Sequence, residues 1–176
     1  MPENFAEMLA AGGHANSLGR VNDVIELVLH NQSRLEELYS CLFNDDAWVR
    51  MRGADALEKI CRQHPDWLLP YVDRISDDLA ASIQPSIQWH MAQIYSEVGL
   101  TAKQKRFAIN WLKGVLSTKD ADWIAAANAM DTLAQFTRDG SFAAADIVPL
   151  LRIQQHHKSN AVIKRATKLL AEFLKK

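Results

Sequence analysis

One apolar pattern occurs four times along this chain at nearly constant spacing. The copies begin at Val49, Ile87, Ala125 and Val162, which are 38, 38 and 37 residues apart. Within each copy, apolar or small residues recur at steps of three and four, the period of one face of an α-helix. A second amphipathic segment precedes each copy. A period near 40 residues with two helices per unit is typical of a helical solenoid, in which each unit packs against its neighbours.

The composition supports an all-α fold. Glycine and proline are scarce, with 7 and 5 copies in 176 residues, and good helix formers dominate. Pro70 and Pro149 fall inside predicted helices, where each removes an amide hydrogen bond and favours a kink. The periodicity predicts helices over about 3–11, 21–30, 33–43, 46–63, 66–80, 85–98, 102–117, 121–138, 142–157 and 160–175.

Helix starts are marked by residues whose side chains can accept a hydrogen bond from an unpaired amide of the first turn. Three of them are followed three residues later by Glu or Gln, as in a capping box, and three others are simple cap candidates. The first group is Asn4, Ser33 and Thr101, and the second is Asp46, Asp122 and Ser159.

The first copy carries a resemblance to a known family. Asp45 and Asp46 precede the helix, Val49-Arg50 opens the pattern, small residues follow at Gly53-Ala54, and Ala56-Leu57 continues it. This segment resembles the second helix of a HEAT repeat, in which small residues let adjacent helices approach closely. The third copy departs most from the pattern, with Ala125 in place of a large aliphatic residue and Thr132 on the apolar stripe.

The resemblance implies an all-α fold, a right-handed α-α superhelix of about four helix pairs. We expect a single domain with an N-terminal helical cap over 1–32 and HEAT-like repeats over 33–176. The repeat limits are predicted at about 33–64, 66–99, 101–139 and 141–176.

The resemblance also implies a function. HEAT-repeat proteins as a class, adaptin-like and importin-like ones included, are scaffolds that bind partners along a concave face. The stretch from Leu9 to Asn22, followed by the first copy, is similar to small bacterial HEAT-repeat proteins, which offer no assigned activity to transfer. We therefore predict a non-enzymatic adaptor that binds another protein or a peptide. The second helices would line the concave face with a ridge comprising Arg52, Asp55, Trp89, His90, Gln93, Asn128 and Asp131.

Within that ridge, Trp89 and His90 form the most suggestive pair. An exposed aromatic ring beside a titratable donor can anchor a partner segment, although Trp89 packed between repeats is the alternative. A second candidate lies near the N-terminus, where Arg20 follows the sequence Gly12-Gly13-His14. This segment is either a loop that contributes to a binding pocket or a helix stop followed by a flexible joint.

The charge pattern favours a protein partner. Lys plus Arg number 20 and Asp plus Glu 21, so the formal net charge is -1, and a nucleic-acid groove needs repeated cations because affinity grows with the phosphates neutralised. Only the last repeat is locally basic, and a solvated face with cations at a helix C-terminus is the simpler interpretation of it. The alternative is a nucleic-acid-binding protein related to the HEAT-like DNA alkylpurine glycosylases, with Asp131 or Asp55 as the carboxylate and Trp89 as the stacking residue.

Other features indicate no cofactor and no metal. The sequence contains no Gly-rich phosphate loop and no Cys-x-x-Cys, and the doublet His156-His157 is interpreted as a solvated helix end. Cys41 and Cys61 are expected to be reduced, buried thiols. The N-terminus lacks a secretory signal and no apolar run could span a membrane, so we expect a cytoplasmic protein. It would be a monomer or a weak dimer formed through an open solenoid end.

Overall fold

The computed structural model describes residues 3–11 and 17–175, and within these ranges the regular structure is helical, without strands. The all-α prediction is confirmed. The helices are α1 Phe5–Ala10, α2 Val21–His30, α3 Leu35–Ser40, α4 Ala47–Gln63, α5 Pro65–Leu68, α6 Val72–Leu79, α7 Pro85–Glu97, α8 Ala102–Leu116, α9 Trp123–Arg138, α10 Ala144–Gln154 and α11 Asn160–Phe173.

Four of the predicted N-caps form in the structure. The side chains of Asn4, Asp46 and Asp122 each accept a hydrogen bond from an amide of the following helical turn. Thr101 and Gln104 form the full reciprocal capping box at the start of α8. Each satisfies amides that the helix itself leaves unpaired.

Two predicted caps are wrong. At Ser33 the chain instead forms a 3-10 turn over Gln32–Arg34, and the side chain of Asn31 accepts the Ser33 amide at 3.2 Å. Asn31 competes successfully because Asx side chains readily bond an amide two residues ahead. Ser159 precedes α11 but makes no side-chain capping bond.

The predicted helix over 66–80 is interrupted. A 3-10 turn over Leu69–Tyr71 lies between α5 and α6. Pro70 sits at the centre of this turn, and its missing amide removes the bond that would continue the helix. Pro149, by contrast, lies inside α10, whose helical assignment runs unbroken across it.

The structure divides into two compact units, one ending at Leu68 and one starting at Leu69. In the first unit, α4 contacts α1, α2, α3 and α5. Gly53 of α4 lies against the end of α3, where a Cβ added to Gly53 would sit 3.3 Å from the Cβ of Cys41. The small residue therefore permits a close approach at this point, as the pattern predicted.

The second unit contains two layers of helices. α8 lies between α6 and α10 in one layer, and α9 lies between α7 and α11 in the other. Each pair across the layers follows the chain order, so that α8 contacts α9 and α10 contacts α11. The hydroxyls of Ser76 in α6 and Tyr95 in α7 are hydrogen-bonded at 2.9 Å in the buried space between the layers. This is the repeated helix-pair arrangement expected of a HEAT-like solenoid.

Among the described residues, no helix combines the length and the apolar composition required to cross a membrane.

Candidate protein-binding face

The outer side of the layer formed by α7, α9 and α11 is a continuous helical surface. α9 packs between α7 and α11, and it buries small and apolar residues such as Ala126, Ala129 and Leu133. Side chains at steps of three and four on the opposite stripe remain wholly or partly accessible, as helical geometry requires. We call this surface the second-helix face; its residues are Trp89, Gln93, Ser96, Asn128, Asp131, Gln135, Lys164, Arg165 and Lys168.

Two hydrogen bonds join α7 to α9 along this face. Thr132 Oγ1 donates to the carbonyl oxygen of Ala92 at 2.8 Å, in a fully buried position. One turn further on, Gln135 Nε2 donates to the carbonyl oxygen of Ser96, also at 2.8 Å. These bonds fix the two helices side by side.

Two ion pairs join α9 to α11. Arg165 pairs with Asp131, and Arg138 forms a bidentate pair with Glu172, with distances of 2.8 and 2.9 Å. The hydrogen bond to Glu172 raises the pKa of the Arg138 guanidinium. A bidentate guanidinium–carboxylate pair adds geometric definition as well as energy.

Trp89 is the aromatic residue of this face. Its ring is half-buried and lies tilted against the imidazole of His90, with 5.2 Å between the ring centroids. Gln93, one turn along α7, has a buried side-chain oxygen that accepts no hydrogen bond from the described residues. On α9, Asn128 donates from Nδ2 to the carbonyl oxygen of Ile124 at 2.9 Å, which holds its amide against its own helix.

An open pocket lies at the α9–α11 end of the face. Its volume is about 370 Å³, and its lining includes Asp131, Arg138, Lys164, Arg165 and Lys168. Four of these side chains are cationic. The pocket therefore gives one end of the face a positive character that the α7 end does not share.

Comparison with known protein families decides the assignment. The profile of the HEAT repeat domain matches residues 6–108, more than half of the chain. The chain belongs to the HEAT-repeat family. Comparison with curated proteins found no match, and comparison with solved structures found none either. The match ends within α8, and the HEAT-like stacking of second helices continues beyond it through α9 and α11.

Membership of the HEAT-repeat family confirms the resemblance seen in the sequence. HEAT repeats generally mediate protein–protein interactions and are typically non-enzymatic. Among the described residues, no group of three or more His, Cys, Asp or Glu side chains is arranged to hold a metal ion.

The HEAT-repeat structure corrects one predicted ridge residue in the first unit. Arg52 was expected to be exposed, but only 2% of its surface is accessible. Its Nη1 donates to the carbonyl oxygen of Leu9 at 2.6 Å, and its Nε donates to that of Ser17 at 2.9 Å. The last carbonyl oxygens of a helix receive no hydrogen bond from an amide of the same helix, and at the end of α1 the guanidinium of Arg52 donates to them instead. Asp55, one turn along α4, is half-buried and pairs with Lys59 at 2.7 Å.

His90 is the second correction. It was expected to be an exposed donor beside Trp89, but only 6% of its surface is accessible. The neighbouring position Trp89 faces outward, and a step of one residue turns a side chain by about 100° around a helix. His90 consequently faces the packed side of α7, and Trp89 is the member of the pair that a partner could contact.

Arg20 and the loop before it are the other predicted site. Gly12, Gly13 and His14 lie outside the described residues. Arg20 forms a bidentate pair with Glu3 at 3.0 and 2.9 Å and a further bond to Asp23 at 2.8 Å. The bond from Arg20 lowers the pKa of the Glu3 carboxyl. Arg20 therefore joins the start of α1 to the start of α2.

The remaining predicted residues behave unequally. Cys41 and Cys61 are buried, as expected, and neither forms a disulfide. His156 is exposed, but His157 is buried, with Nε2 2.8 Å from the carbonyl oxygen of Ala121 and Nδ1 accepting the amide of Ser159. The interpretation of this doublet as a solvated helix end is wrong for His157, whose ring ties the end of α10 to the segment before α9.

Sequence reasoning missed the interhelical bonds that organise the face. Thr132 did carry a signal, because it interrupts an apolar stripe, and its hydroxyl is indeed buried and engaged. The pairs Arg138–Glu172 and Arg165–Asp131 join residues 34 positions apart. Such long-range pairs become visible only when the stacking order of the second helices is known.

Proposed function

We propose that this HEAT-repeat protein is a non-enzymatic adaptor that binds another protein through the second-helix face of its second unit. The observation that carries the proposal is the presentation of Trp89 on a face whose three helices are joined to one another. Tryptophan is among the residues that contribute most to binding energy in protein interfaces.

The bonds between the helices support this proposal. The buried bond from Thr132 to Ala92 and the bidentate pair of Arg138 with Glu172 define the spacing of α7, α9 and α11 before any partner arrives. A surface that is already ordered loses less conformational entropy on binding. Gln93 would add to the binding energy, because a hydrogen-bond donor of the partner that reached its side-chain oxygen would satisfy a buried acceptor.

The nucleic-acid alternative has less support. The carboxylates that a glycosylase would require are both engaged, Asp131 with Arg165 and Asp55 with Lys59. The α7 part of the face carries Trp89 and Gln93 and no lysine or arginine, whereas phosphate binding scales with the number of cations presented. Duplex DNA binding that weakens steeply with added salt is the result that would restore this alternative.

The test of the adaptor proposal is quantitative affinity capture from the native host with the full-length protein and two tryptophan variants. Trp89→Ala removes the ring from the face. Trp123→Ala is the matched control, because Trp123 is 49% exposed in the first turn of α9. At ~100° per residue it lies about 80° to 140° around the helix from the α9 residues of the face, which are Asp131, Gln135 and Asn128.

We expect proteins that bind the native chain specifically to be depleted by Trp89→Ala and retained by Trp123→Ala. Circular dichroism of both variants checks that the helices are intact. Partners that remain bound to a folded Trp89→Ala variant, and are lost with Trp123→Ala, would show that binding uses another surface.

A further inference from the structure

The positive pocket between α9 and α11 contains more cationic than anionic side chains. Arg165 is paired with Asp131, and Arg138 is paired with Glu172. Lys164 and Lys168 also line the pocket, and neither forms an ion pair or hydrogen bond with the described residues. The pocket thus has two cations beyond those that its own carboxylates neutralise.

The helix dipole does not account for the position of these lysines. Cations are favoured at a helix C-terminus only within about the last turn. α11 runs from Asn160 to Phe173, so that Lys164 lies in its first half and Lys168 near its middle. The two are four residues apart on one helix face, where like charges repel each other. An anion bound between them would relieve this repulsion.

We propose that the pocket binds an acidic segment of a protein partner, with Lys164 and Lys168 as the residues that contact its carboxylates. The inference rests on the proposed adaptor function and names the partner chemistry at one end of the same face. Arg165 and Arg138 are held by their own ion pairs, so the net positive charge of the pocket comes from Lys164 and Lys168.

A peptide suits the pocket better than a nucleic acid does. Ala161 is an exposed apolar residue beside the lysines, and the largely buried Leu169 also lines the pocket, so that small aliphatic side chains can accompany the carboxylates of a peptide. Among the residues of the second-helix face the lysines and arginines all line this pocket, whereas a nucleic-acid strand requires cations distributed along its length. Charge complementarity of this kind mainly selects the partner and accelerates its association.

The test uses fluorescence anisotropy of the full-length protein with a labelled peptide of alternating glutamate and leucine, roughly ten residues long. A second peptide with glutamine in place of glutamate has the same shape without the charge. The variant Lys164→Glu/Lys168→Glu reverses the charge at both lysine positions of the pocket. The control variant Lys103→Glu/Lys113→Glu has the same net charge, but its changes lie at exposed positions of α8, in the other layer of the unit.

We expect the acidic peptide to bind the native protein at least about tenfold more tightly than the glutamine peptide does, and the pocket variant to lose that difference. The control variant should bind within about twofold of the native protein, because screening limits the effect of distant exposed charges to about 10 Å. Lys164→Arg/Lys168→Arg should retain binding, which separates charge from misfolding.

Three results would overturn the inference. Equal losses in the pocket and control variants would indicate a net-charge effect without a site. Equal binding of the two peptides would show that carboxylates are not recognised. Preferential binding of duplex DNA, lost in the pocket variant, would assign the pocket to nucleic acid. If the acidic peptide fails while Trp89-dependent capture persists, this inference is wrong and the adaptor proposal stands.

Discussion

Replacing Arg52 with alanine should destabilise the first unit strongly. Arg52 is almost fully buried and donates to the carbonyl oxygens of Leu9 at 2.6 Å and Ser17 at 2.9 Å, with a longer third contact to Ala10 at 3.4 Å. Net contributions of about 1.5–3 kcal/mol are typical for hydrogen bonds from charged groups. Two well-formed bonds, less the relief of no longer burying a guanidinium, give a loss of about 3 kcal/mol.

The assay is urea denaturation followed by far-UV circular dichroism, with Arg20→Ala as the matched control in the same unit. Arg20 also makes several ionic bonds, but they are exposed, and exposed pairs contribute little. We expect Arg52→Ala to lower the free energy of unfolding far more than Arg20→Ala does. Arg52→Lys should fall between them, because the lysine ammonium retains the charge but not the several N–H donors of the planar guanidinium. If Arg52→Ala unfolds at the same urea concentration as Arg20→Ala, the carbonyls of α1 do not depend on Arg52 and the structural role argued for it is wrong.

Three further predictions concern packing, the bonds between helices and thiol reactivity. Gly114→Ala should raise the free energy of unfolding by about 0.5–1 kcal/mol through helix propensity, because a Cβ there meets nothing within 4 Å. Gly53→Ala should leave the free energy of unfolding unchanged or lower it by up to about 1 kcal/mol, because its Cβ approaches Cys41. Equal gains in chemical denaturation would contradict this account of the α3–α4 approach. Thr132→Val removes the donor to the Ala92 carbonyl and should lower the free energy of unfolding by about 1 kcal/mol. Thr137→Val, whose hydroxyl donates to Leu133 within α9, should lower it by less than about 0.5 kcal/mol. Similar losses in urea titrations would show that the α7–α9 bond does not stabilise the protein. Burial, assisted by the charge of Glu37, raises the pKa of Cys41 to about 11, so that only about one thiol in a thousand is ionised at pH 8. Alkylation of Cys41, followed by mass spectrometry, should be at least about a hundredfold slower in the native protein than in urea, and equal rates would show that the thiol is exposed.

The helices were largely predictable because their signals are local. The period of three and four residues fixed where α7 and α9 lie, and side-chain caps such as Thr101 reach only three residues along the chain. Ser33 shows the limit of such local rules. Asn31, two residues earlier, offers a competing bond of similar strength, and the sequence pattern alone does not rank the two.

The error at Arg52 has a clear physical origin. Helical periodicity tells which side of α4 faces its own partner helix, but a second neighbour can bury the other side as well. The end of α1 reaches Arg52 from more than forty residues earlier in the chain. An arginine is well suited to such a site because its long aliphatic stem packs and its guanidinium satisfies several carbonyls at once. The apolar periodicity of α4 does not predict this contact.

The candidate face was partly predictable for the same reason. Periodicity placed Trp89, Gln93, Asn128 and Asp131 on a common side of the second helices. Their side chains are wholly or partly accessible, and the shared face stays a prediction. The bonds that hold the face together, and the pocket between α9 and α11, depend on which second helix packs against which. That order is a property of tertiary packing, so only the structure supplies it.

Hydroxyl-radical footprinting of the protein with and without its captured partner tests the central claim most directly. The method reports side-chain accessibility by oxidation, and the half-buried ring of Trp89 and the exposed ring of Trp123 both give a signal in the unbound protein. We predict that partner binding protects Trp89 and leaves Trp123 unchanged. Protection of Trp123 with unaltered oxidation of Trp89 would contradict the assignment of the second-helix face as the binding surface.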